Sequence, residues 1–481
     1  MPIVSRQQID NFAAMLPEEV KAAVADGTTA GVSKRDEVLA ADYPDADELR
    51  RTAGQVRQHG LDHLDDYLAQ AEERMTARGI NVHYAWDVET ARSLILELIR
   101  ADGGRRVTKS KSMVSEELDL ARWLNEQGVD TVETDLGELI VQLDDDHPSH
   151  VVKPIIHKNR REIAITFEAN GLGAYDDEPE TITRRARNWL RPRFLEAEIG
   201  ITGANFISAE SGRAAIVTNE GNARFSLSSC RTHILLTGIE KVVPRDRDIA
   251  LLLSLLGRSA TGQRMTSYVE FVGGPRARDR ASGPETVHVI FLNNRRTEAL
   301  ASDCREILRC IRCGACMNIC PVYRQTSGHA YRQVYPGPVG AVLDPLLAGP
   351  GRFAELADLP RASSLCGACT SVCPVDIPLH DLLVRHRVRA TQEKAKAANL
   401  GTPAMGGWAR MATMPTAWRA SMRASKAMNY VPLDMLPLYP VRAWLEQRTL
   451  PEWRGGKFRQ WWREREAGRS SAPDSESGDD G

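Results

Sequence analysis

Apolar positions recur at helical intervals near the start of the chain. In ADELRRTAGQVRQHGLDHLDDYLAQAEERMTARG, which covers residues 46–79, apolar side chains stand three to five positions apart at Val56, Leu61, Leu64 and Leu68. This spacing places them along one face of a helix. Residues 1–80 are therefore predicted to form an N-terminal helical segment that acts as an amphipathic layer rather than as a separate catalytic unit.

Short apolar strands and helices alternate from about residue 81. NVHYAW is predicted to be a strand, and DVETARSLILELIRADGG a helix with Asp87 as its N-cap and glycine at its end. RRVTKS and VDTVET follow as strands, separated by SMVSEELDLARWLNEQG, a helix that Ser112 can cap. Further β-branched runs continue to TVHVIFLNN. This alternation predicts an α/β layered domain with parallel strands over residues 81–298.

The last third of the chain has a different composition. Residues 299–395 carry most of the cysteines and are predicted to form a mostly helical, ferredoxin-like domain. Residues 396–481 form an extension rich in Trp, Pro and Arg, and its acidic end, SSAPDSESGDDG, is predicted to be disordered. Aromatic and Arg residues are enriched in interface anchors, so the extension is either a docking segment or an arm packed on the ferredoxin domain.

Length and composition indicate a soluble protein of two or three domains. A chain of 481 residues exceeds what one ordinary core accommodates, and 42% hydrophobic with 26% charged residues is typical of globular proteins. The net charge of −2 gives no general attraction to nucleic acid or anionic lipid. No apolar run approaches the roughly 18 residues that span a bilayer, and the first residues do not resemble a secretory signal. A cytoplasmic location is predicted, with no nucleic-acid partner and no transmembrane segment.

The cysteines are strongly clustered. Eight of the nine lie between Cys304 and Cys373, and the ninth is Cys230. In a reducing compartment such clustering favours metal ligation over disulfide bonds. CIRCGACMNICPVYR, residues 310–324, has the C-x2-C-x2-C-x3-C-P spacing of bacterial two-cluster ferredoxins, in which the fourth cysteine ligates the other cluster. The two-residue gaps let a tight loop aim three thiolates at one cubane, and Pro321 ends the loop.

A second cysteine motif, CGACTSVCPV, occurs at residues 366–375. Applied to both motifs, the two-cluster rule predicts two iron–sulfur clusters of the 4Fe-4S type. Cluster one receives Cys310, Cys313, Cys316 and Cys373, and cluster two receives Cys320, Cys366 and Cys369. A zinc site is the alternative, but zinc takes only four ligands, whereas seven cysteines here keep cluster spacing and both motifs end in Cys-Pro.

Cluster two lacks one cysteine ligand, because Ser363 stands where a complete motif has its first cysteine. Three arrangements remain open. Cluster two is a 3Fe-4S cluster, or a cubane whose fourth iron takes Ser363, water or substrate, or a cubane that Cys304 completes by folding back. Cys304 also fits the role of a small buried hydrophobic residue, which is the favoured interpretation, and Cys230 lies in a strand region and is interpreted as structural.

No nucleotide or flavin motif accompanies the clusters. The sequence has no G-x-G-x-x-G after a strand and no Walker A motif. Clusters alone relay single electrons and do not take a hydride from an alcohol carbon. The hydride acceptor is therefore expected in a partner protein or at an unrecognised site on the α/β domain.

Five segments of the α/β region resemble the lactate-utilisation B family. They are TKSKSMVSEELDL (108–120), VETDLGELIVQL (132–143), HPSHVVKPIIHKNR (147–160), ISAESGRAAIVTNEGNAR (207–224) and RTHILLTGIEKVVP (231–244). The resemblance covers roughly residues 60–385, and PEWRGGKFRQWWRER (451–465) is similar to the tryptophan-bearing tail of the family. It implies a lactate-utilisation α/β domain, similar in fold to sugar-phosphate isomerases and coenzyme A transferases, followed by a paired-cluster ferredoxin domain.

The resemblance also implies a function. Members of the family act with a cysteine-rich subunit and a second lactate-utilisation-domain protein to oxidise L-lactate to pyruvate, which allows lactate to serve as a carbon source. The chain is then expected to be the iron–sulfur electron-transfer subunit of an oxidoreductase complex rather than a complete enzyme alone. An electron relay for another 2-hydroxy acid such as glycolate is an alternative, because glycolate differs from lactate by one methyl group and a binding site discriminates only weakly on that basis. An iron–sulfur redox sensor or scaffold is a third hypothesis.

Polar residues where a strand meets a helix indicate an anion or substrate site. Lys109, Ser110, Lys111 and Ser112 occupy such a junction, where free N–H groups and lysine charge favour a carboxylate or phosphate. A solvated, capped turn is the alternative. Glu220 in TNEGN resembles the catalytic glutamate of coenzyme A transferases by analogy of fold. Three histidines of HPSHVVKPIIH are candidates for metal or substrate binding, with hydrogen-bonded surface residues as the alternative: His147, His150 and His157.

Overall fold

The computed structural model describes residues 6–393, 402–424 and 458–470 of the chain. Contacts separate two units, Met1–Ala398 and Asn399–Gly481, and each is described by itself. The first unit contains the N-terminal helices, the α/β domain and the cysteine loops. Among the described residues, no helix is long and apolar enough to cross a membrane.

The N-terminal segment is helical, in agreement with its periodicity. Its helices are α1 (Arg6–Met15), α2 (Glu18–Asp42), α3 (Ala46–Asp62) and α4 (Leu64–Thr76). Their apolar faces are buried in a core shared with the cysteine region, where Val24 and Leu61 belong to the same cluster as Leu343 and Leu382. The segment is therefore a layer packed on the rest of the first unit.

Strands and helices alternate in the α/β domain. The strands are β1 (Asn81–Ala85), β2 (Arg106–Lys109), β3 (Asp130–Glu133), β4 (Ile199–Thr202), β5 (Phe206–Ser208), β6 (Ala214–Thr218), β7 (Thr232–Gly238), β8 (Val242–Val243), β9 (Tyr268–Val272) and β10 (Thr286–Leu292). The helices are α5 (Val88–Ala101), α6 (Met113–Glu117), α7 (Leu120–Glu126), α8 (Leu136–Leu143), α9 (Arg160–Ala169), α10 (Pro179–Glu196), α11 (Asn222–Ser228), α12 (Asp246–Thr261) and α13 (Arg296–Leu300). On one face of the main sheet, Ile201 and Ile234 pack with Ile95 of α5 and Leu124 of α7.

Two sheets form in the described part of this domain. The larger has six strands in the order β1-β10-β7-β4-β2-β3, and every neighbouring pair is parallel, as the alternating pattern predicts. The smaller sheet, in the order β8-β5-β6-β9, pairs β6 antiparallel with both β5 and β9. It was not predicted, because strands as short as two and three residues give no clear alternation. The likeness to sugar-phosphate isomerases and coenzyme A transferases stays a prediction.

The helix predicted over SMVSEELDLARWLNEQG is divided in two. Helix α6 ends before Asp119, whose left-handed backbone (φ +44°) precedes the start of α7. The prediction that Ser112 caps this helix is wrong, because its side chain makes no capping hydrogen bond. The predicted cap of α5 is confirmed, since Asp87 Oδ1 accepts a hydrogen bond from the Thr90 amide at 2.8 Å.

The cysteine region forms short helices and turns. Its helices are α14 (Ala315–Ile319), α15 (Pro321–Thr326), α16 (Gly337–Ala348), α17 (Phe353–Leu356), α18 (Ala368–Ser371) and α19 (Leu379–Gln392). Single turns of 3-10 helix occur in the first unit at Ile239–Lys241, Arg305–Arg309, His329–Tyr331, Pro350–Arg352 and Leu359–Arg361. Residues 299–393, all of which are described, contain no strand. The region is therefore mostly helical, as predicted.

The described parts of the second unit are helical. They are α20 (Thr402–Thr413), α21 (Pro415–Ala424) and α22 (Phe458–Ser470). Trp408 and Trp418 contact each other edge to face, with ring centroids 6.4 Å apart. The acidic end predicted to be disordered lies outside the described residues. The choice between a docking segment and an arm on the ferredoxin domain stays open.

Candidate metal centre and adjoining cavity

The two CGAC sequences fold into the same turn. Arg312 and Leu365, which precede them, have left-handed backbones with φ of +61° and +55°. Gly314 and Gly367 also have positive φ, +76° and +80°, and each begins a short helix, α14 or α18. The two cysteine motifs are therefore a structural repeat as well as a sequence repeat.

The first loop and Cys373 enclose one small apolar cavity. The four thiols assigned to cluster one line it: Cys310, Cys313, Cys316 and Cys373. The remaining lining is apolar and includes Val151, Met317 and Val339. Burial, with a smaller contribution from the nearby Cys310 and Cys373 thiolates, raises the pKa of Cys313 to about 12. Four converging cysteines in an apolar space that excludes water fit the ligand set of a 4Fe-4S cluster.

Gly314 lets the first loop pack closely on the α/β domain. A Cβ atom at this position would lie 2.9 Å from Cε1 of His150, in addition to requiring a left-handed backbone. His150 is buried and holds its own segment in place, because its Nδ1 accepts hydrogen bonds from the Val152 and Lys153 amides at 3.0 and 3.1 Å. Its Nε2 lies 3.2 Å from Oδ1 of Asn318 on α14.

The second loop brings its cysteines together nearer the surface. Burial raises the pKa of Cys369 to about 11, and the thiolates of Cys320 and Cys366 contribute to this shift. Cys320 and Cys369 are buried, whereas Cys366 is exposed. Hydrogen bonding to the Ala368 amide lowers the pKa of Cys366, and the Ser364 side chain adds to this effect. These are the thiols predicted for cluster two.

Ser363 has the position of the missing cysteine. The Leu365 amide donates a hydrogen bond to Ser363 Oγ at 3.2 Å, as the Arg312 amide does to Cys310 Sγ at 3.4 Å. Cys304 is fully buried, and its Sγ faces the Leu382 carbonyl oxygen at 4.0 Å. Cys230 is also buried, and its Sγ contacts the Leu227 carbonyl oxygen at 3.6 Å. Both contacts fit the structural interpretation of these two cysteines.

Arginines from the N-terminal helices bind the backbone of the second loop. Arg50 of α3 donates from Nε to the Cys373 carbonyl oxygen at 2.7 Å and from Nη2 to that of Thr370 at 3.0 Å. Arg35 of α2 donates to the Val372 carbonyl oxygen at 3.2 Å. This role could not be predicted from the sequence, because no local pattern relates residues more than 300 positions apart.

A larger cavity lies at the carboxyl ends of the parallel strands. Its volume is about 230 Å³, and its lining includes the segments that follow β2 and β4, residues 110–114 and 203–205. Ligands of open α/β sheets bind at this end of the strands. The cavity is therefore the natural candidate for a small-molecule site.

Four of the predicted anion-binding residues line this cavity, namely Ser110, Lys111, Ser112 and Glu220. Lys109 does not, because its ammonium is fully buried in ion pairs with Glu133 at 2.6 Å and Glu116 at 3.1 Å. Lys111 Nζ donates to the Val152 carbonyl oxygen at 2.9 Å.

Lys241 and Arg312 also line this cavity and were not predicted. Lys241 Nζ lies 3.5 Å from the Cys310 carbonyl oxygen, and burial lowers the pKa of Lys241 to about 7, with Arg312 adding to the shift. Arg312 Nη2 lies 3.5 Å from Oε1 of Glu240, and the guanidinium carbon lies 4.5 Å from the Tyr335 ring centroid. Arg312 lies within the first cysteine motif and Lys241 within RTHILLTGIEKVVP, but the spacing of neither segment indicates that these side chains line a cavity.

The other candidate histidines are hydrogen-bonded. His157 contacts Ser149 Oγ at 2.6 Å and Asp146 Oδ2 at 3.0 Å through its two ring nitrogens. The His147 carbonyl oxygen is 2.7 Å from Nε2 of His329. Asp146, His157 and His329 offer ligand atoms within 4.8 Å of one another, but these contacts also account for the group as a hydrogen-bond network.

Three family models match successive parts of the chain. Residues 68–292 match the LUD domain, residues 306–377 match a 4Fe-4S dicluster domain, and residues 384–467 match the C-terminal domain of lactate utilisation protein B. The cysteines assigned to the two clusters lie within the second of these matches.

Similar proteins extend over most of the chain. Lactate utilization protein B of Shouchella clausii is 42% identical over 431 residues, covering 87% of this chain and 89% of that protein. The uncharacterized electron transport protein YkgF of Escherichia coli is 44% identical over 426 residues, covering 88% and 89%. A crystal structure of a DUF162 family protein from Deinococcus radiodurans is 13% identical with a TM-score of 0.28, covering 48% of this chain and 98% of that one.

Proposed function

The chain belongs to the lactate utilisation protein B family, and from this premise we propose that it is the iron–sulfur electron-transfer subunit of a complex that oxidises L-lactate to pyruvate. The observation that carries the proposal is the convergence of four thiols on one apolar cavity within a 4Fe-4S dicluster domain. The names of two relatives, with lactate utilisation in one and electron transport in the other, point in the same direction.

The chain's own residues have distinct roles in this proposal. When bound, the two clusters supply one-electron transfer, and lactate oxidation releases two electrons and two protons. The thiols of the first loop are held in a buried apolar space, which keeps water away from the metal site. The second loop presents the exposed Cys366 at the surface, where an acceptor protein can approach.

We further propose that the chain needs partners to complete the reaction. The expected partners are a cysteine-rich subunit and a second protein with a lactate-utilisation domain. The sequence contains no flavin or nicotinamide motif that could accept a hydride from the substrate carbon. The isolated chain is then expected to hold iron and sulfide but to oxidise lactate slowly.

The test is lactate turnover by the anaerobically purified chain, alone and with both partners. Turnover is expected only in the complete mixture, and a Cys313→Ser variant should abolish it, since a cluster-one ligand is lost. Glycolate serves as a second substrate, because a relay for another 2-hydroxy acid would favour it over L-lactate. Full turnover by the chain alone, or by the mixture containing the Cys313 variant, contradicts the proposal.

A further inference from the structure

The cavity of the α/β domain adjoins the cavity of the first cysteine loop. Val151 and Arg312 line both spaces and so form part of the wall between them. Arg312 belongs to the loop itself and lies between Cys310 and Cys313 in the chain. A molecule that contacts Arg312 from the larger cavity therefore lies beside the thiols assigned to cluster one.

The lining nearest this wall is cationic. Lys241 and Arg312 both face the cavity. Glu240 does not line it, and its carboxylate is shared between Arg296 at 2.6 Å and Arg312 at 3.5 Å. Lys111 approaches the same wall, because its Nζ donates to the carbonyl oxygen of Val152, the residue after Val151.

The acidic residues of the lining are fewer than the cations of this wall. Asp135 Oδ2 forms an ion pair with Lys111 Nζ at 3.9 Å, but no ion pair joins Lys241 or Arg312 to a carboxylate of the described lining. Glu220 is exposed and accepts a hydrogen bond from Thr218 at 3.2 Å. The wall therefore retains the charge to attract a small anion.

Arg312 has unused hydrogen-bond donors. Within the described part of the chain its Nε and Nη1 have no partner, although only 9% of the side chain is exposed. Buried donors in folded proteins are nearly always satisfied, so this geometry indicates that an acceptor is missing. Because Nη2 already donates to Glu240 Oε1 at 3.5 Å, a carboxylate can accept a charge-assisted hydrogen bond from one of the two unused donors.

Two serines beside Lys111 suit a further oxygen of a small polar acid. Ser110 and Ser112 line the cavity beside Lys111, and the Ser112 hydroxyl is not used to cap α6. Gly203 leaves space at this point, because a Cβ atom there would lie 2.6 Å from Ser112 Oγ. A hydroxyl or ketone oxygen can therefore hydrogen-bond to these serines.

We propose that this cavity binds a small 2-hydroxy or 2-oxo acid on this chain itself, with its carboxylate held by Arg312 and Lys111. The choice of acid rests on the proposed function, whereas the binding of a small carboxylate rests on the geometry alone. The substrate or product of the complex then sits beside the first cysteine loop instead of being confined to a partner subunit.

Calorimetric titration of the full-length protein with its clusters tests this proposal, using L-lactate and pyruvate as probes and inorganic phosphate as a competing anion. Lys111→Gln is expected to weaken pyruvate binding at least tenfold, and Arg312→Lys, which keeps the charge but loses the two unused donors, should also weaken it severalfold. The exposed Lys34→Gln and Arg276→Lys are matched controls that should bind like the native protein. Bound pyruvate should also alter the EPR line shape of cluster one, a change that Arg312→Lys diminishes.

Three results would overturn the inference. The first is pyruvate binding that is unchanged in both Lys111→Gln and Arg312→Lys, and the second is phosphate binding tighter than that of either acid. The third is turnover in the complete complex without acid binding to this chain, which leaves the proposed function intact. Acid binding to this chain without lactate turnover in the complete complex rejects the proposed function and leaves the inference intact.

Discussion

Ser363 occupies in the second cysteine loop the position that Cys310 occupies in the first. The Leu365 amide lies 3.2 Å from Ser363 Oγ, and the Arg312 amide lies 3.4 Å from Cys310 Sγ. Leu365 and Arg312 share a left-handed backbone. The same turn that presents a thiol in one loop therefore presents a hydroxyl in the other, which favours Ser363 over Cys304 as the residue that completes cluster two.

Replacement of Ser363 by cysteine is expected to complete the second motif. Ser363→Cys should hold about eight irons per chain with reduced cubane signals from both clusters, whereas Ser363→Ala should hold about seven and show a three-iron signal when oxidised. Iron and sulfide assays measure the iron content of each variant, and EPR of the anaerobically purified protein identifies the cluster type. Cys304→Ser is the control and should keep the native iron content, because the thiol packs against Leu382. Loss of one iron in that variant would assign the ligand to Cys304 instead.

The two loop glycines are expected to differ in their tolerance of alanine. Both have φ near +80°, so alanine strains either backbone by about 1 kcal/mol. Gly314→Ala also brings a Cβ atom within 2.9 Å of His150, whereas Gly367→Ala meets no described atom within 4 Å. Gly314→Ala should therefore lose more iron and more thermal stability than Gly367→Ala. Equal losses would show that the contact with His150 is unimportant.

Arg50 is expected to affect the reduction potential as well as stability. Its guanidinium donates to the carbonyl oxygens of Cys373 and Thr370, so Arg50→Gln removes both hydrogen bonds and a positive charge beside a cluster-one ligand. The reduced cluster should become less stable, which lowers its potential by an amount on the order of tens of mV. Redox titration monitored by EPR measures the shift. Arg51→Gln, an exposed neighbour, is the matched control, and a similar shift in both variants would contradict this role.

The acidic cluster around Lys109 is expected to make stability depend on pH. Burial raises the pKa of Glu138 well above its ordinary value, and the Glu116 and Glu133 carboxylates raise it further. The folded state therefore keeps a proton that the unfolded state releases at lower pH, so the free energy of unfolding falls as pH rises above the unfolded pKa of about 4.3.

Thermal melts of native protein and Glu138→Gln at pH 5 and pH 8 measure this effect. Between these pH values the Tm of the native protein should fall further than the Tm of Glu138→Gln. The difference should be roughly 2–4 °C for each kcal/mol that the proton on Glu138 contributes to the free energy of unfolding. Glu126→Gln, exposed on α7, should behave like the native protein. An equal fall in Tm for the native protein and both variants would mean that Glu138 is ionised in the folded state.

The cysteine arrangement could be predicted because its determinants are local. The spacing of each motif sets the turn, and the rule that the last cysteine crosses to the other cluster is consistent with Cys373 lying in one cavity with Cys310, Cys313 and Cys316. The alternation of strands and helices likewise indicated a parallel sheet. For the turns of the cysteine loops and for the parallel sheet, the pattern of residues within short segments was sufficient.

The residues that surround the candidate sites could not be found in the same way. Successive residues of a strand point to opposite sides, so Lys109 faces the carboxylates of Glu133 and Glu116 while Ser110 lines the cavity, and the sequence does not say which side is open. Arg50 and Lys241 reach the cysteine loops across tens to hundreds of positions. Their roles depend on tertiary packing that leaves no local pattern.

The most direct test of the electron-transfer role is rapid-freeze EPR of this chain mixed anaerobically with its two partners and L-lactate. The account predicts that reduced cluster signals from this chain appear at least as fast as pyruvate forms, and that they are absent when either partner or lactate is omitted. Pyruvate formation at an undiminished rate while the clusters of this chain stay oxidised, with no external acceptor present, would contradict it.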